Sequence, residues 1–248
     1  MIYQPEIFAP HPIIAAESQR EGGVSPPPYH SLNLGINTAD NPENIDKNRQ
    51  RFFRALDWSA EQFTYSYQVH GKEVLIATGP SGHHGYDAII TRQPGLMVGV
   101  TIADCTPVLI YDPEQKAIAA IHAGWQGTAA QIVTHTLHRM QEEFGTHPKD
   151  CLAYIGTCIT QPHYEVDERV ASRLDKAHLK PGAQPGKWMA DLKGANRAQL
   201  RSAGIAKSHI EVSPYCTWAN NEDYFSHRRN AGTTGRMLAV IGMKKEQS

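Results

Sequence analysis

Apolar positions along the chain gather into short blocks separated by Gly, Pro and Asp turns, with amphipathic stretches between them. Between Thr64 and Ile121 this pattern predicts strands at 65–69, 74–77, 88–91, 96–102, 108–111 and 117–121. Several of these blocks are apolar throughout, which suits strands buried on both faces. After Asn41-Pro-Glu-Asn44, the three-to-four spacing of Phe52, Phe53 and Leu56 predicts a helix that also carries Asn48 and Arg49. Residues 127–144 predict the longest helix, with Ile132, Val133, Leu137 and Met140 as its apolar stripe and Thr128 near its start. A buried strand at 152–155 follows. Beyond it come helices around 168–176 and 195–202, a Pro/Gly-rich loop at 180–187, and strands at 210–213 and 237–243. The piece Val24-Ser-Pro-Pro-Pro-Tyr29 cannot be helical and reads as a rigid loop crossing a surface. With no repeat and no low-complexity tract, this interleaving favours a single α/β sandwich with mixed sheets over two separable domains.

Composition narrows the partners. The 248 residues carry 24 basic and 25 acidic side chains, and no run of Lys and Arg exceeds a pair. A protein that binds nucleic acid by neutralising phosphates needs a basic excess or patch, so nucleic acid is not expected as the main partner. No stretch approaches the ~20 apolar residues of a membrane span, and the first residues lack a secretory pattern, so the expectation is a cytoplasmic protein away from membranes. Thirteen histidines stand beside only four cysteines, and the scattered Cys105, Cys151, Cys158 and Cys216 read as reduced thiols or metal ligands.

Three segments put a metal-capable or nucleophilic side chain at the edge of a buried strand: Gln68-Val-His70-Gly71, Ala103-Asp-Cys105-Thr-Pro107 and Ile121-His122-Ala-Gly-Trp125. One thiolate and two imidazoles form a set suited to Zn²⁺ with a fourth position open, the ligand count of a catalytic site. Their separations of 35 and 17 residues match no local zinc-finger pattern. Each also has a structural reading, as a small buried cysteine or a hydrogen-bonded histidine. Asp104 could serve as general acid or base beside the set, or simply cap the turn. The Gly124-Trp-Gln-Gly127 turn leading into a helix offers backbone N–H groups to an anion. His83 and His84 in a Gly/Ser loop, and His135 and His138 on an exposed helix face, are left out of the site.

Taken together, the blocks around His70, Cys105 and His122 resemble the signature of the YfiH-like family, named both for multicopper polyphenol oxidase (laccase-domain) activity and for purine nucleoside phosphorylase activity. Ser31-Leu-Asn-Leu-Gly35, Asn48-Arg49, Asp87-Ala88, Ile155-Gly156, Cys158-Ile159, Tyr164-Glu-Val166, Asp191-Leu192, Cys216-Thr217, Phe225-Ser-His-Arg-Arg229 and Gly235-Arg-Met237 fit as well, nearly end to end and in order. The resemblance implies an α+β fold, a layered sandwich of mixed β-sheets flanked by helices of the YfiH-like cysteine-hydrolase type, in one domain over 1–248. It implies a mononuclear zinc site at His70, Cys105 and His122, with Asp104 alongside. It further implies phosphorolysis of adenosine, inosine, guanosine and methylthioadenosine, and deamination of adenosine, with nucleoside and phosphate as small-molecule partners. Asn33, Arg49 and Arg228 fall in matching blocks and are candidates for phosphate or ribose contacts. Three positions depart from the pattern: Gln126 where Arg is common, Thr157 where Pro is usual, and His227 where Tyr is expected. Gln126 removes a cation, whereas His227 adds a titratable group or a further ligand.

Other readings stay open at this point. A copper oxidase of phenols would use the same donors with Cu²⁺ and Met97 as axial ligand, although a single set is fewer than an oxygen-reducing laccase needs. A metal-free cysteine hydrolase would use Cys105 as nucleophile and His122 or His70 as base, in an amidase acting on a peptidoglycan precursor. A zinc-stabilised binding domain would have no chemistry. The oligomeric state is not addressed by any of these patterns.

Overall fold

A computed structural model describes residues 2–245; Met1 and residues 246–248, the ends of the expected 1–248 unit, lie outside the described residues. In chain order the first half comprises β1 (Ile2–Tyr3), β2 (Ile13–Ser18), α1 (Pro42–Ala55), β3 (Phe63–Tyr67), β4 (Val74–Ile76), β5 (Gly82–His84), β6 (Ala88–Thr91), β7 (Met97–Ile102), β8 (Thr106–Asp112) and β9 (Ala117–Ala123). Then come α2 (Trp125–Ala129), α3 (Ile132–Phe144), β10 (Leu152–Ile155), β11 (Glu165–Asp167), α4 (Glu168–Ala171), β12 (Leu179–Pro181), β13 (Lys187–Ala190), α5 (Leu192–Ser202), β14 (Ile210–Val212) and β15 (Met237–Met243).

The strands build two six-stranded mixed sheets, ordered β1-β2-β15-β7-β3-β5 and β14-β10-β8-β9-β6-β4, and a small sheet β11-β13-β12. Side-chain alternation then sets the layers. Val98, Val100, Ala239 and Ile241 of the first sheet meet Leu109, Ile118, Ala120 and Ile89 of the second in a core between the sheets. The opposite face of the second sheet, with Ile90, Val108, Ile110 and Ile121, is covered by Ile132, Val133, Leu137 and Met140 of α3 and Leu200 of α5. The opposite face of the first sheet, with Ala16, Leu238 and Val240, is covered by Phe52 and Phe53 of α1. The result is a layered α+β arrangement in which β7, β8, β9 and β15 are covered on both faces, matching their unbroken apolar runs.

Several expected elements change. The helix expected at 127–144 breaks at Gln131, whose φ of 57° is left-handed, giving α2 and α3. The break is a tertiary effect: Gln199 of α5 donates to the Thr128 carbonyl and Asn196 to the Thr128 hydroxyl, fixing α2 apart from α3. At 14 residues α1 is longer than α3 at 13. The helix expected at 168–176 closes after Ala171, and the loop at 180–187 is bounded by β12 and β13. His83 and His84 sit on the edge strand β5 rather than in a loop, and β2 was not anticipated at all. No described helix is long and apolar enough to cross a membrane, and none of the four cysteines is in a disulfide.

Candidate metal centre

The chain passes between the two large sheets at the β3–β4 and β7–β8 connections, and β9 ends beside them. Each passage carries one donor: His70 follows β3, Cys105 precedes β8, and His122 is the penultimate residue of β9. Their ligand atoms lie within 4.8 Å of one another, the one such group of three found among the described residues. The His70 and His122 rings are 4.9 Å apart, centre to centre, and nearly perpendicular at 75°. Donors around a tetrahedral Zn²⁺ stand about 3.3–3.8 Å apart, so the set closes on such an ion with small adjustments.

Asp87 organises this corner. It is fully buried. One carboxylate oxygen accepts from His122 Nδ1 at 2.7 Å and from the His70 N–H at 3.0 Å. The other accepts from the N–H groups of Val69 at 3.1 Å and Gly71 at 2.7 Å. Burial opposes ionisation of Asp87, but His122 and these backbone donors hold it below the ordinary carboxylate range. As an ionised acceptor it favours a proton on His122 Nδ1, so that Nε2 is the nitrogen available to a metal once its own proton is displaced. Gln68 fixes the same segment from the other side, bonding the Thr101 N–H, hydroxyl and carbonyl of β7 at 2.8–2.9 Å.

Two site residues occupy left-handed backbone, His70 with φ 60° and Asp104 with φ 85°. Such conformations cost of order 1–3 kcal/mol and persist where surroundings over-determine them. Asp87 grips the first through three consecutive N–H groups. Asp104 grips its own surroundings: its carboxylate accepts from the Thr217 hydroxyl at 2.6 Å, the Ser226 hydroxyl at 2.8 Å and the Arg228 N–H at 2.6 Å. It thus ties together the loops at 217 and 226–228, a tethering geometry rather than that of a free acid or base. Close approach favours Gly at 124, since a Cβ there would sit 3.0 Å from Cys105 Sγ and 3.1 Å from His70 Cδ2 and press on both.

Electrostatically the three donors form a thiolate–imidazolium cluster. Burial alone would raise the Cys105 thiol, but His122 and His70 beside it pull it down to about 6. Burial alone would lower His122, but the Cys105 thiolate and Asp87 push it up to about 9. Cys105 and His122 are therefore charge-matched in the protein, and a cation that displaces the His122 proton meets a soft anion and an imidazole nitrogen there.

A cavity of about 330 Å³ opens at the cluster. Its chemistry-bearing walls include Tyr164, Arg228, Arg236, His227, Trp125 and Gln126. Arg228 lies 5.1 Å over the Tyr164 ring and donates to the Glu165 carbonyl at 2.7 Å, which fixes its side chain. His227 is on the wall but outside the group of three donors.

Arg228 is thus brought to the site, and Arg49 and Asn33 are not. Asn33 is fully buried, and its amide is consumed by Thr38, Asp40, Gly35 and the Arg236 N–H. Arg49 donates to the Leu34 carbonyl at 3.2 Å and stacks 4.7 Å over Tyr65, in the packing of α1 on the first sheet. The contacts they make within the chain are structural ones, and Asn33 acts on the cavity indirectly by holding the Arg236 backbone. Met97 is fully buried in the core under α1 and does not line the cavity, so it is no axial ligand. Asp87, Gln68, Tyr164 and Arg236 fall in blocks that carry the family resemblance, but the sequence assigned them no role; an aspartate just before a buried strand was the available signal for Asp87.

Residues 14–244 match the family model described as multi-copper polyphenol oxidoreductase laccase. The purine nucleoside phosphorylase of Deinococcus radiodurans is 39% identical over 249 residues, covering 100% of this chain and 94% of the relative. Purine nucleoside phosphorylase YfiH of Escherichia coli is 37% identical over 242 residues, covering 96% of each. Among solved structures, the hypothetical protein YfiH of Bacillus licheniformis superposes with a TM-score of 0.94 at 30% identity, over 98% of this chain and 96% of that one. YlmD from Geobacillus stearothermophilus gives 0.92 at 33%, over 97% and 94%. With the family model spanning nearly the whole chain and relatives of this identity aligned end to end, the protein belongs to the YfiH-like, laccase-domain family.

Proposed function

We propose that the protein is a zinc-dependent purine nucleoside phosphorylase, acting on adenosine, inosine, guanosine and methylthioadenosine, that also deaminates adenosine. The observation that carries this reading is the juxtaposition of the His70–Cys105–His122 donor set with a cavity bearing two arginines. The printed names of the curated relatives support it. At about 330 Å³ the cavity falls in the range of about 300–1,000 Å³ usual for small-molecule sites.

His70, Cys105 and His122 would hold the ion, with Asp87 orienting His122. When bound, zinc supplies Lewis acidity without needing a proton of its own. In phosphorolysis the N-glycosidic bond breaks, a phosphate oxygen bonds to C1′, and the purine leaves with a proton. Arg228 and Arg236 carry the positive charge that holds an anion in the cavity and offsets the charge on the reacting phosphate. The Tyr164 and Trp125 rings give a purine apolar faces and exclude water. Asp104 keeps Arg228 in place by binding its backbone N–H.

Incubating the pure, zinc-loaded protein with inosine tests the reading: hypoxanthine release should require phosphate, and adenosine should yield inosine without phosphate. No phosphate-dependent base release at any metal loading would overturn it.

One observation favours a second reading. Cys105, His122 and Asp87 also form a nucleophile–base–carboxylate series, with the thiol pulled down to about 6. This suits a metal-free cysteine amidase acting on a peptidoglycan precursor. An enzyme that stays active after chelation and loses activity on alkylation of Cys105 would favour it; activity that falls with zinc removal and returns with zinc would exclude it.

A further inference from the structure

Across Trp125 and Gln126 lies a second cavity of about 490 Å³. It shares His70, Trp125 and Gln126 with the inner cavity, so the two adjoin across those residues. The outer chamber is lined in addition by Lys72, Ser172 and Arg173, and no Asp or Glu borders it. The two cations come from separate elements, Lys72 just after the Gly71 that Asp87 fixes and Arg173 just after α4. Neither side chain has an ion-pair partner among the described residues.

Two unpaired cations with a hydroxyl and an amide, arranged around one space, suit a tetrahedral dianion. Its peripheral oxygens can accept from an ammonium, a guanidinium fork and neutral donors arriving from different directions. We propose that the outer chamber is a subsite for a phosphoryl group, reached across the Trp125–Gln126 wall from the metal centre. The choice of phosphate among anions rests on the phosphorolysis reading; the anion site itself rests on the chamber. Two sources share this chemistry: inorganic phosphate as co-substrate, and a phosphate carried on the sugar of a nucleoside 5′-monophosphate.

The test is calorimetric titration of the full chain, at fixed zinc loading, with inorganic phosphate, adenosine 5′-monophosphate and adenosine as the uncharged control. Wild type is compared with Lys72→Gln, Arg173→Gln and the double variant, all checked for an unchanged urea midpoint. Each lost charge-assisted contact should weaken anion binding by about tenfold. Weakening for inorganic phosphate assigns the chamber to an entry subsite for the co-substrate, outside the Arg228–Arg236 cavity where it reacts. Weakening confined to the monophosphate, bringing its affinity to that of adenosine, assigns it to a phosphate on the substrate. Anion affinities in the double variant equal to wild type, or a wild type that binds neither anion, overturn the proposal. Hypoxanthine release, measured in parallel, separates the two ideas. Phosphorolysis with unchanged anion binding in the double variant refutes the subsite alone, whereas lost anion binding without phosphorolysis in the wild type refutes the activity alone.

Discussion

Replacing Asp87 by Asn keeps the shape of the buried carboxylate and removes its charge and one of its two accepting oxygens. In the native arrangement both oxygens are doubly used, one by His122 Nδ1 and the His70 N–H, the other by the Val69 and Gly71 N–H groups. If the amide oxygen stays on His122, the new NH₂ faces two backbone donors and leaves both unsatisfied. If the amide flips, the NH₂ meets His122 and drives the proton from Nδ1 to Nε2, blocking the nitrogen that should ligate. Each orphaned buried donor costs about 1–3 kcal/mol, so the first rotamer loses about 2–6 kcal/mol of stability. Either rotamer disturbs the orientation of a histidine proposed as ligand, which should cost roughly 10–100-fold in metal affinity. Urea unfolding of wild type and Asp87→Asn reads the first quantity, and competition with a chromophoric zinc chelator reads the second. A variant within about 0.5 kcal/mol of wild type that binds zinc equally well would refute the argument that Asp87 holds this corner together.

Three further outcomes follow from the same geometry. Asp104→Asn tolerates the left-handed backbone but turns an NH₂ either toward the Arg228 N–H, which is then orphaned, or toward the Thr217 and Ser226 hydroxyls, which must turn to accept, so stability should fall by about 1–3 kcal/mol in urea unfolding; unchanged stability with a 10²–10⁴-fold drop in kcat, roughly the size of a lost general base, would instead make it the acid–base group. Gly124→Ala pushes a methyl toward Cys105 Sγ and His70 Cδ2 and should weaken zinc binding about tenfold in the chelator assay while costing about 1–3 kcal/mol. In the metal-free protein His122, raised to about 9, contributes fully below its ordinary value of 6.5 and fades as pH rises through 9, whereas Cys105, lowered to about 6, contributes fully above its ordinary value of 9.0 and fades as pH falls through 6. The opposed slopes should leave stability nearly flat between, and zinc uptake near pH 7.5 should release the His122 proton, measurable by calorimetry in buffers of different ionisation enthalpy.

Much of the fold was legible because several strands are apolar runs closed by turn residues: 88–91, 152–155 and 237–243 coincide with β6, β10 and β15. β2 escaped because Pro10 and Pro12 precede it and because it ends in Glu17 and Ser18, polar residues that the fold buries. The break at Gln131 left no local trace, lacking Gly or Pro, since contacts from α5 impose it. The donors were legible because each sits in a compact block beside a buried strand. Asp87 was not, because its role arises only when β6 pairs with β9 and sets it against His122. The placement of Arg49 and Asn33 was not legible, because a polar side chain carries no sign of its direction, and both turn into the packing of α1 and the 33–40 loop.

Removing the metal should leave the fold intact. In small zinc domains the ion supplies most of the folding free energy, because the chain has no core without it. Here three apolar clusters pack both faces of both large sheets, and none of them depends on His70, Cys105 or His122. The donors are held by protein groups alone, His122 and His70 by Asp87, with Gly124 packed against Cys105 and His70. The strain at His70 and Asp104 is met by two carboxylates that accept seven hydrogen bonds between them. A chelated sample should therefore keep its far-ultraviolet circular dichroism and unfold cooperatively, with its stability reduced only by the mass-action term of the lost ligand. Loss of cooperative unfolding on chelation would make the ion a structural staple, and the reading of this protein as a zinc-stabilised binding domain would then displace the catalytic one.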